Sequence, residues 1–391
     1  MPLIHQYLDA LTCTKGWEII SPTEFQVQTV VWKGHQWSHT LTLDQPGTPK
    51  VADTAILLIT GDRVDPADAE LSAKVSKESS LPVFSLFNIP NQPIWDMRED
   101  DLIAHTFEQF LDSKDSSWPL LFPMTQAVIS AMDQIQEHFP HLQKFVLTGG
   151  SKRGWTTWLA GATADPRIIG ICPQVFDNLN MATQMKRQVE IWGQLSPKLD
   201  DYARRQFEQI LDHPDGLALT NLVDPIAVAS DIQCRIHIIN GGNDEYWLAD
   251  ALSSYIQSLP GKPTAFVAPN LGHDLQHSEE VQRSLAEFAL ACALDKPFGD
   301  WGSFIGESTW YATSDDYQFS NATWTTELPN ASKYIASFQI RDHYGIFGQY
   351  SVSSPVEVKI LTSDSVDSLL QTKSTPKART KKVPSTTGKA Q

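Results

Sequence analysis

From residue 54 onward, short unbroken apolar runs alternate with amphipathic stretches. The runs TAILLIT (54–60), LPVFSLFNIP (81–90), KFVLTGG (144–150), IIGICPQVF (168–176), CRIHIING (234–241) and TAFVAP (264–269) are rich in branched and aromatic residues. Continuous rather than alternating hydrophobicity marks strands buried on both faces, as in a parallel sheet. Between them, Met124, Ala127, Val128, Ala131, Met132 and Ile135 recur at steps of three and four, the stripe of a helix with Pro123 in its first turn. A second stripe, Val281, Leu285, Phe288 and Cys292, follows Ser278, a residue suited to cap a helix. Strands alternating with helices predict an α/β fold with a doubly wound, mostly parallel sheet.

The flanks follow other patterns. Residues 24–46, EFQVQTVVWKGHQWSHTLTLDQP, read as an antiparallel hairpin at the sheet edge, with Lys33 and Gly34 near its turn. Residues 179–230 interrupt the rhythm with a polar, helix-prone insertion, placed where such folds carry a lid. Past Pro297 the alternating segments STWYATS, SKYIASFQI and YSVSSPVEVKI predict a small β-sandwich module. From about residue 366 the chain is too poor in apolar residues to fold alone. The expected division is 1–296 for the α/β domain, 297–365 for the β-rich module and 366–391 for a basic tail.

Composition narrows the function. The net charge of −16 disfavours nucleic acid. Cys13, Cys172, Cys234 and Cys292 lie far apart with no CxxC pair, which suits buried thiols rather than a disulfide framework or zinc site. No apolar run reaches the roughly 18 residues of a membrane span, and the first residues lack a signal-peptide pattern. The expectation is a cytoplasmic protein.

Chemistry concentrates at VLTGGSKRGWTTWLAG, 146–161. A nucleophilic serine needs exposure at a strand end, backbone N–H groups for an oxyanion, and a histidine base oriented by a carboxylate. In the α/β-hydrolase scheme that serine follows a central strand as G-x-S-x-G, with partners in the order Ser, Asp, His. Here Ser151 has Gly149 two residues before it, but the downstream glycine is Gly154, three residues after. With Arg153 at the usual glycine position, its side chain is expected to point outward, or the turn to differ. Asp244, behind two glycines in IHIINGGNDEYW, and His273, in AFVAPNLGHDLQH, complete the order Ser151, Asp244, His273, each just beyond its strand. The first oxyanion donor is then the Lys152 amide and the second comes from Gly61 or Asp62.

Other groups admit two readings. Glu99, Asp100 and Asp101 suit a first helical turn; alternatively, Glu99 or Asp100 catches a substrate's α-ammonium. Lys152 and Arg153 form a solvated face or bind a substrate carboxylate. Trp155, Trp158, Trp247 and Trp310 pack the core or cleft, with Trp247 a candidate substrate contact. His273, Asp274 and His277 approach the H-E-x-x-H zinc motif, but that motif needs a helix where Pro269 and Gly272 predict a loop. Asn321 and Asn330 stand in glycosylation sequons, idle in a protein that is not exported.

The stretches NIPNQPIW, EDDLIAHTFEQFL, WPLLFPMTQAVISAMDQIQ, FVLTGGSKRGWTTWLAGATADPRIIGICPQVFDNLNM, NDEYWLADA and VAPNLGH resemble the PhoPQ-activated pathogenicity-related protein family. Together they cover most of residues 20–295. The resemblance implies an α/β-hydrolase domain whose triad matches Ser151, Asp244 and His273, similar to dipeptidyl-peptidase-like serine peptidases. Family members are commonly exported, whereas the first residues here show no signal pattern, which sets the expectation of a cytoplasmic protein against the family's habit; Gly150 also stands where alanine is common in the family. The expected function is a serine hydrolase, a peptidase or esterase acting on a small molecule or peptide without metal or organic cofactor. The alternative is a binding or signalling protein on the same scaffold.

Overall fold

The structure is a computed structural model that describes residues 4–62, 66–299, 303–329, 332–345 and 348–360. Asn330 and the basic tail with Lys377, Arg379, Lys381 and Lys382 lie outside these residues. Among the described residues thirteen strands form one sheet: β1 (Thr12–Ser21), β2 (Glu24–Trp32), β3 (His35–Asp44), β4 (Thr54–Ile59), β5 (Val83–Leu86), β6 (Lys144–Gly150), β7 (Ile168–Gln174), β8 (Arg235–Gly241), β9 (Thr264–Ala268), β10 (Ser303–Ser314), β11 (Tyr334–Tyr344), β12 (Gln349–Ser353) and β13 (Glu357–Ile360). The helices are α1 (His5–Leu8), α2 (Pro66–Ser79), α3 (Glu99–Ser113), α4 (Leu121–His138), α5 (Lys152–Gly161), α6 (Met181–Trp192), α7 (Asp200–Ala203), α8 (Pro214–Val223), α9 (Pro225–Val228) and α10 (Glu279–Ala293).

Strand order is β1-β2-β3-β5-β4-β6-β7-β8-β9-β12-β11-β10, with β13 also on β11. The stretch from β5 to β9 is parallel throughout. These are the continuous apolar runs; every residue of β4 and β5 is buried, because helices cover both faces. Consecutive residues on β7 show the two layers. A Cβ on Gly170 would meet Cys292 Sγ of α10 at 2.7 Å, whereas the Ile171 side chain lies against Gly161 of α5. Ser278 caps α10 by accepting from the Glu280 amide.

The expected hairpin is β2–β3, turned through Lys33 (φ 47°) and Gly34 (φ 82°). The sequence reading missed β1, which pairs outside β2 and forms the edge. Its cysteine, Cys13, is exposed rather than buried; all four cysteines are free. The insertion is helical, running through α6, α7, α8 and α9.

The C-terminal strands require a correction. They form no separate sheet among the described residues; they continue the central sheet through β12. β12 pairs antiparallel with β9 at Ser353 and Ala265, while β11 pairs with β10 on one side and with β12 and β13 on the other. Alternating hydrophobicity reports one buried face per strand, and cannot say whether that face meets a second sheet or a neighbouring loop.

Candidate active site

Ser151 lies between β6 and α5 with φ 56° and ψ −125°, a conformation rarely adopted by residues other than glycine. Its amide donates to the Gln174 carbonyl of β7 at 2.9 Å. Two glycines permit this turn. A Cβ on Gly149 would stand 2.8 Å from the Ile59 carbonyl oxygen, and one on Gly154 would stand 2.7 Å from that of Gln174. The displaced glycine therefore lets helix and strand approach, one residue later than in the usual motif. At Gly150 the nearest atom to an added Cβ is 3.8 Å away, so the family's alanine fits.

The fold brings three separated residues together. His273 Nε2 lies 2.9 Å from Ser151 Oγ, and His273 Nδ1 lies 2.8 Å from Asp244 Oδ2. Asp244 Oδ1 accepts from the Tyr246 amide at 2.9 Å, leaving both carboxylate oxygens engaged. The Tyr246 ring lies on the imidazole, with centroids 3.9 Å apart and 27° between planes. Burial, and then the nearby carboxylates, push its phenol up to about 12, so it stays neutral. His273 sits on a loop with both ring nitrogens engaged, unlike a histidine of a helical zinc motif.

The chain belongs to the PhoPQ-activated pathogenicity-related protein family. The family's model matches residues 10–325. Autocrine proliferation repressor protein A of Dictyostelium discoideum is 30% identical over 325 residues, covering 75% of this chain and 66% of that protein, so the chain spans slightly less than two thirds of that relative. Acetyl xylan esterase from Paenibacillus sp. R4 superposes with TM-score 0.52 at 14% identity, over 73% of this chain and 92% of that one. Acetyl xylan esterase 1 from Thermoanaerobacterium sp. JW/SL YS485 superposes at 0.50 with 13% identity, over 74% and 92%. These likenesses show the α/β-hydrolase fold.

Beside the elbow this family member departs from expectation. Arg153 turns inward: its Nε donates to the Ile89 carbonyl at 2.5 Å, and its guanidinium forks onto Glu99 at 2.6 and 2.8 Å. The space exists because Gly61 has no side chain; a Cβ there would lie 3.1 Å from Arg153 Nη2. Lys152 is not solvated either, since its Nζ binds Glu99 at 2.9 Å and Asp100 at 3.0 Å. Burial opposes the Glu99 charge, but the Arg153 and Lys152 cations outweigh it and hold the carboxyl down at about 2. With Gln92 Nε2 also donating to it, Glu99 has both oxygens engaged within the protein rather than waiting for an ammonium. Asp100 is held by Lys152 and by the Tyr202 hydroxyl at 3.0 Å. Both acids do open α3, as the macrodipole reading expects.

Lys152 is the first residue of α5, so its amide has no acceptor within the helix. Gly61 shares a hollow with Gly150, Arg153 and His273, while the Asp62 carboxylate turns to Arg98. A pocket of about 40 Å³ adjoins Ser151 and Lys152, walled by Trp155, Phe176, Trp247 and the insertion's Met181, Met185 and Tyr202. A broad hollow of about 750 Å³ adjoins His273, lined also by Glu245, Asn270, Asp274 and Asn321.

Sequence reasoning missed what holds the acid and base loops. Asn270 pairs with Trp324 through both backbone groups, its Oδ1 accepting at 2.8 Å and its Nδ2 donating at 3.0 Å. The Trp324 indole donates to the Gly242 carbonyl at 3.0 Å, and Asn243 Nδ2 donates to the Phe319 and Ala322 carbonyls at 2.7 Å each. Gly242 makes room, since a Cβ there would stand 2.9 Å from the indole nitrogen. Nothing in the local pattern around Trp324 signals this contact.

Proposed function

We propose that the chain is a serine hydrolase that cleaves carboxylic esters or amides through an acyl-enzyme. The observation that carries this reading is the continuous relay from Asp244 through His273 to Ser151, with separations of 2.8 and 2.9 Å. His273 takes the hydroxyl proton as Ser151 Oγ bonds to the substrate carbonyl carbon. The oxyanion is held by the Lys152 amide, with a second donor from the Gly61–Asp62 backbone. The carbon–leaving-group bond then breaks, and the imidazolium returns the proton to the leaving oxygen or nitrogen. Water attacks the acyl-enzyme by the same route, giving the free acid and regenerating Ser151. Asp244 keeps the imidazole in the tautomer that presents Nε2 to serine.

The test is labelling by a fluorophosphonate probe together with hydrolysis of p-nitrophenyl acetate. Wild type should label and turn over, and Ser151→Ala should lose labelling and fall roughly 10⁴-fold or more in kcat. A wild type that neither labels nor hydrolyses would point to the scaffold alternative instead.

A further inference from the structure

Asn178 lines the small pocket beside Ser151 with only 4% of its surface exposed, and its Oδ1 meets no hydrogen-bond donor among the described residues. An unsatisfied amide oxygen in such a site costs stability, and a leucine of similar size would remove that cost. Its neighbours are already committed. The Tyr255 hydroxyl donates to Asp177 at 2.6 Å, and Asp100 is taken by Tyr202 and Lys152. Among the described residues lining the pocket, Asn178 is thus the one with a fully buried polar atom left unmatched; the Tyr246 hydroxyl, which also lines it, is only half-buried.

Size, charge and position restrict what could match it. A cavity measured this way needs about 10–15 Å³ per water-sized group, so about 40 Å³ admits roughly three. Lys152 and Arg153 are balanced by Glu99 and Asp100, which leaves no net charge to attract an ammonium or a carboxylate. The leaving group must lie by the imidazole that protonates it, and the 750 Å³ hollow adjoining His273 is open for it. Of these hollows the small pocket is the one lined by Ser151 itself, which assigns it to the acyl half. A hydroxyl both donates and accepts, so it can pair with whichever end of the Asn178 amide faces the pocket, oxygen and nitrogen being exchangeable by a flip of the side chain.

We infer, resting on the hydrolase reading above, that the substrate is an ester of a short 2-hydroxy acid such as a glycolyl or lactyl ester, with the acyl hydroxyl bound by Asn178. The hydroxyl takes no part in bond making: ester and water give the 2-hydroxy acid and the alcohol.

The full-length protein is assayed with phenyl glycolate and phenyl propionate, which differ by a hydroxyl in place of a methyl, and with phenyl octanoate. Wild type should favour glycolate over propionate about tenfold in kcat/KM. It should cleave octanoate at under about one hundredth of the propionate rate, because the pocket has no room for the chain. Asn178→Leu should bring the glycolate-to-propionate ratio to one or below. A second arm needs no variant: glycolamide should protect wild type from fluorophosphonate labelling at lower concentration than propionamide. A wild-type preference for propionate, a ratio unchanged in Asn178→Leu, or rapid octanoate cleavage would overturn the pocket assignment while leaving the hydrolase reading intact. A wild type that is not labelled and cleaves no ester would remove both.

Discussion

His273 is held from three directions, by Asp244 at Nδ1, by Ser151 at Nε2 and by the Tyr246 ring against its face. In the proposed reaction the imidazole becomes a cation, and the electron-rich face of an aromatic ring stabilises a cation by about 0.5–2 kcal/mol. Tyr246→Leu should therefore lower kcat about 3- to 30-fold with less change in KM, while Tyr246→Phe keeps the ring and most of the rate. Ester turnover by the two variants decides the point; equal losses would assign the effect to the hydroxyl instead. At this scale the residues of the relay were legible, because each follows its own strand in the order that this chemistry uses. The ring on the histidine was not. NDEYW places tyrosine two positions from the aspartate, but spacing says nothing about which face a loop side chain covers. The motif left Arg153 either outward or on a different turn; the turn differs, with Gly154 making the close approach, and the inward place of Arg153 was not legible because the space that accepts it comes from Gly61, ninety-two positions earlier in the chain.

The elbow between β6 and α5 depends on glycines for different reasons, and substitution separates them. Gly150→Ala should be nearly neutral, whereas Gly154→Ala drives a methyl against the Gln174 carbonyl and should cost roughly 1–3 kcal/mol of stability. Urea unfolding of both variants measures the contrast. The loops after β8 and β9 depend on Trp324, outside the α/β part. Trp324→Ala removes the indole bond to Gly242 and empties a buried site, so it should destabilise by about 3–5 kcal/mol. Ester turnover should fall further than the folded fraction measured by circular dichroism in the same sample. Turnover that simply tracks the folded fraction would confine Trp324 to packing. The family match reaches residue 325 and so includes this buttress. Its role lay beyond sequence reading because Asn270 and Trp324 are 54 positions apart.

For the molecule as a whole, buried carboxyls couple stability to pH. Desolvation pushes the Asp177 carboxyl up to about 7, with Asp244 and Asp250 nearby adding to the rise and the Tyr255 hydroxyl opposing it. In the unfolded chain the same group releases its proton near 3.9. Between about pH 4 and 7 the native state binds more protons at this site, so the contribution of Asp177 to stability declines as pH rises. Asp177→Asn should remove that decline: the wild type's melting temperature relative to the variant should drop steadily between pH 4 and 7, and a constant difference would refute the coupling. The chain's own pattern determined the alternation of buried strands and amphipathic helices, and with it the α/β class and the order of serine, aspartate and histidine. These are local properties, because a strand or helix records in consecutive residues which of its faces is buried. Tertiary structure alone decided the closure of the relay, the inward Arg153, the C-terminal strands as an extension of the sheet and the unmatched Asn178 in its pocket. Each of those depends on distance and orientation between segments far apart in the chain, and no run of neighbouring residues carries that information.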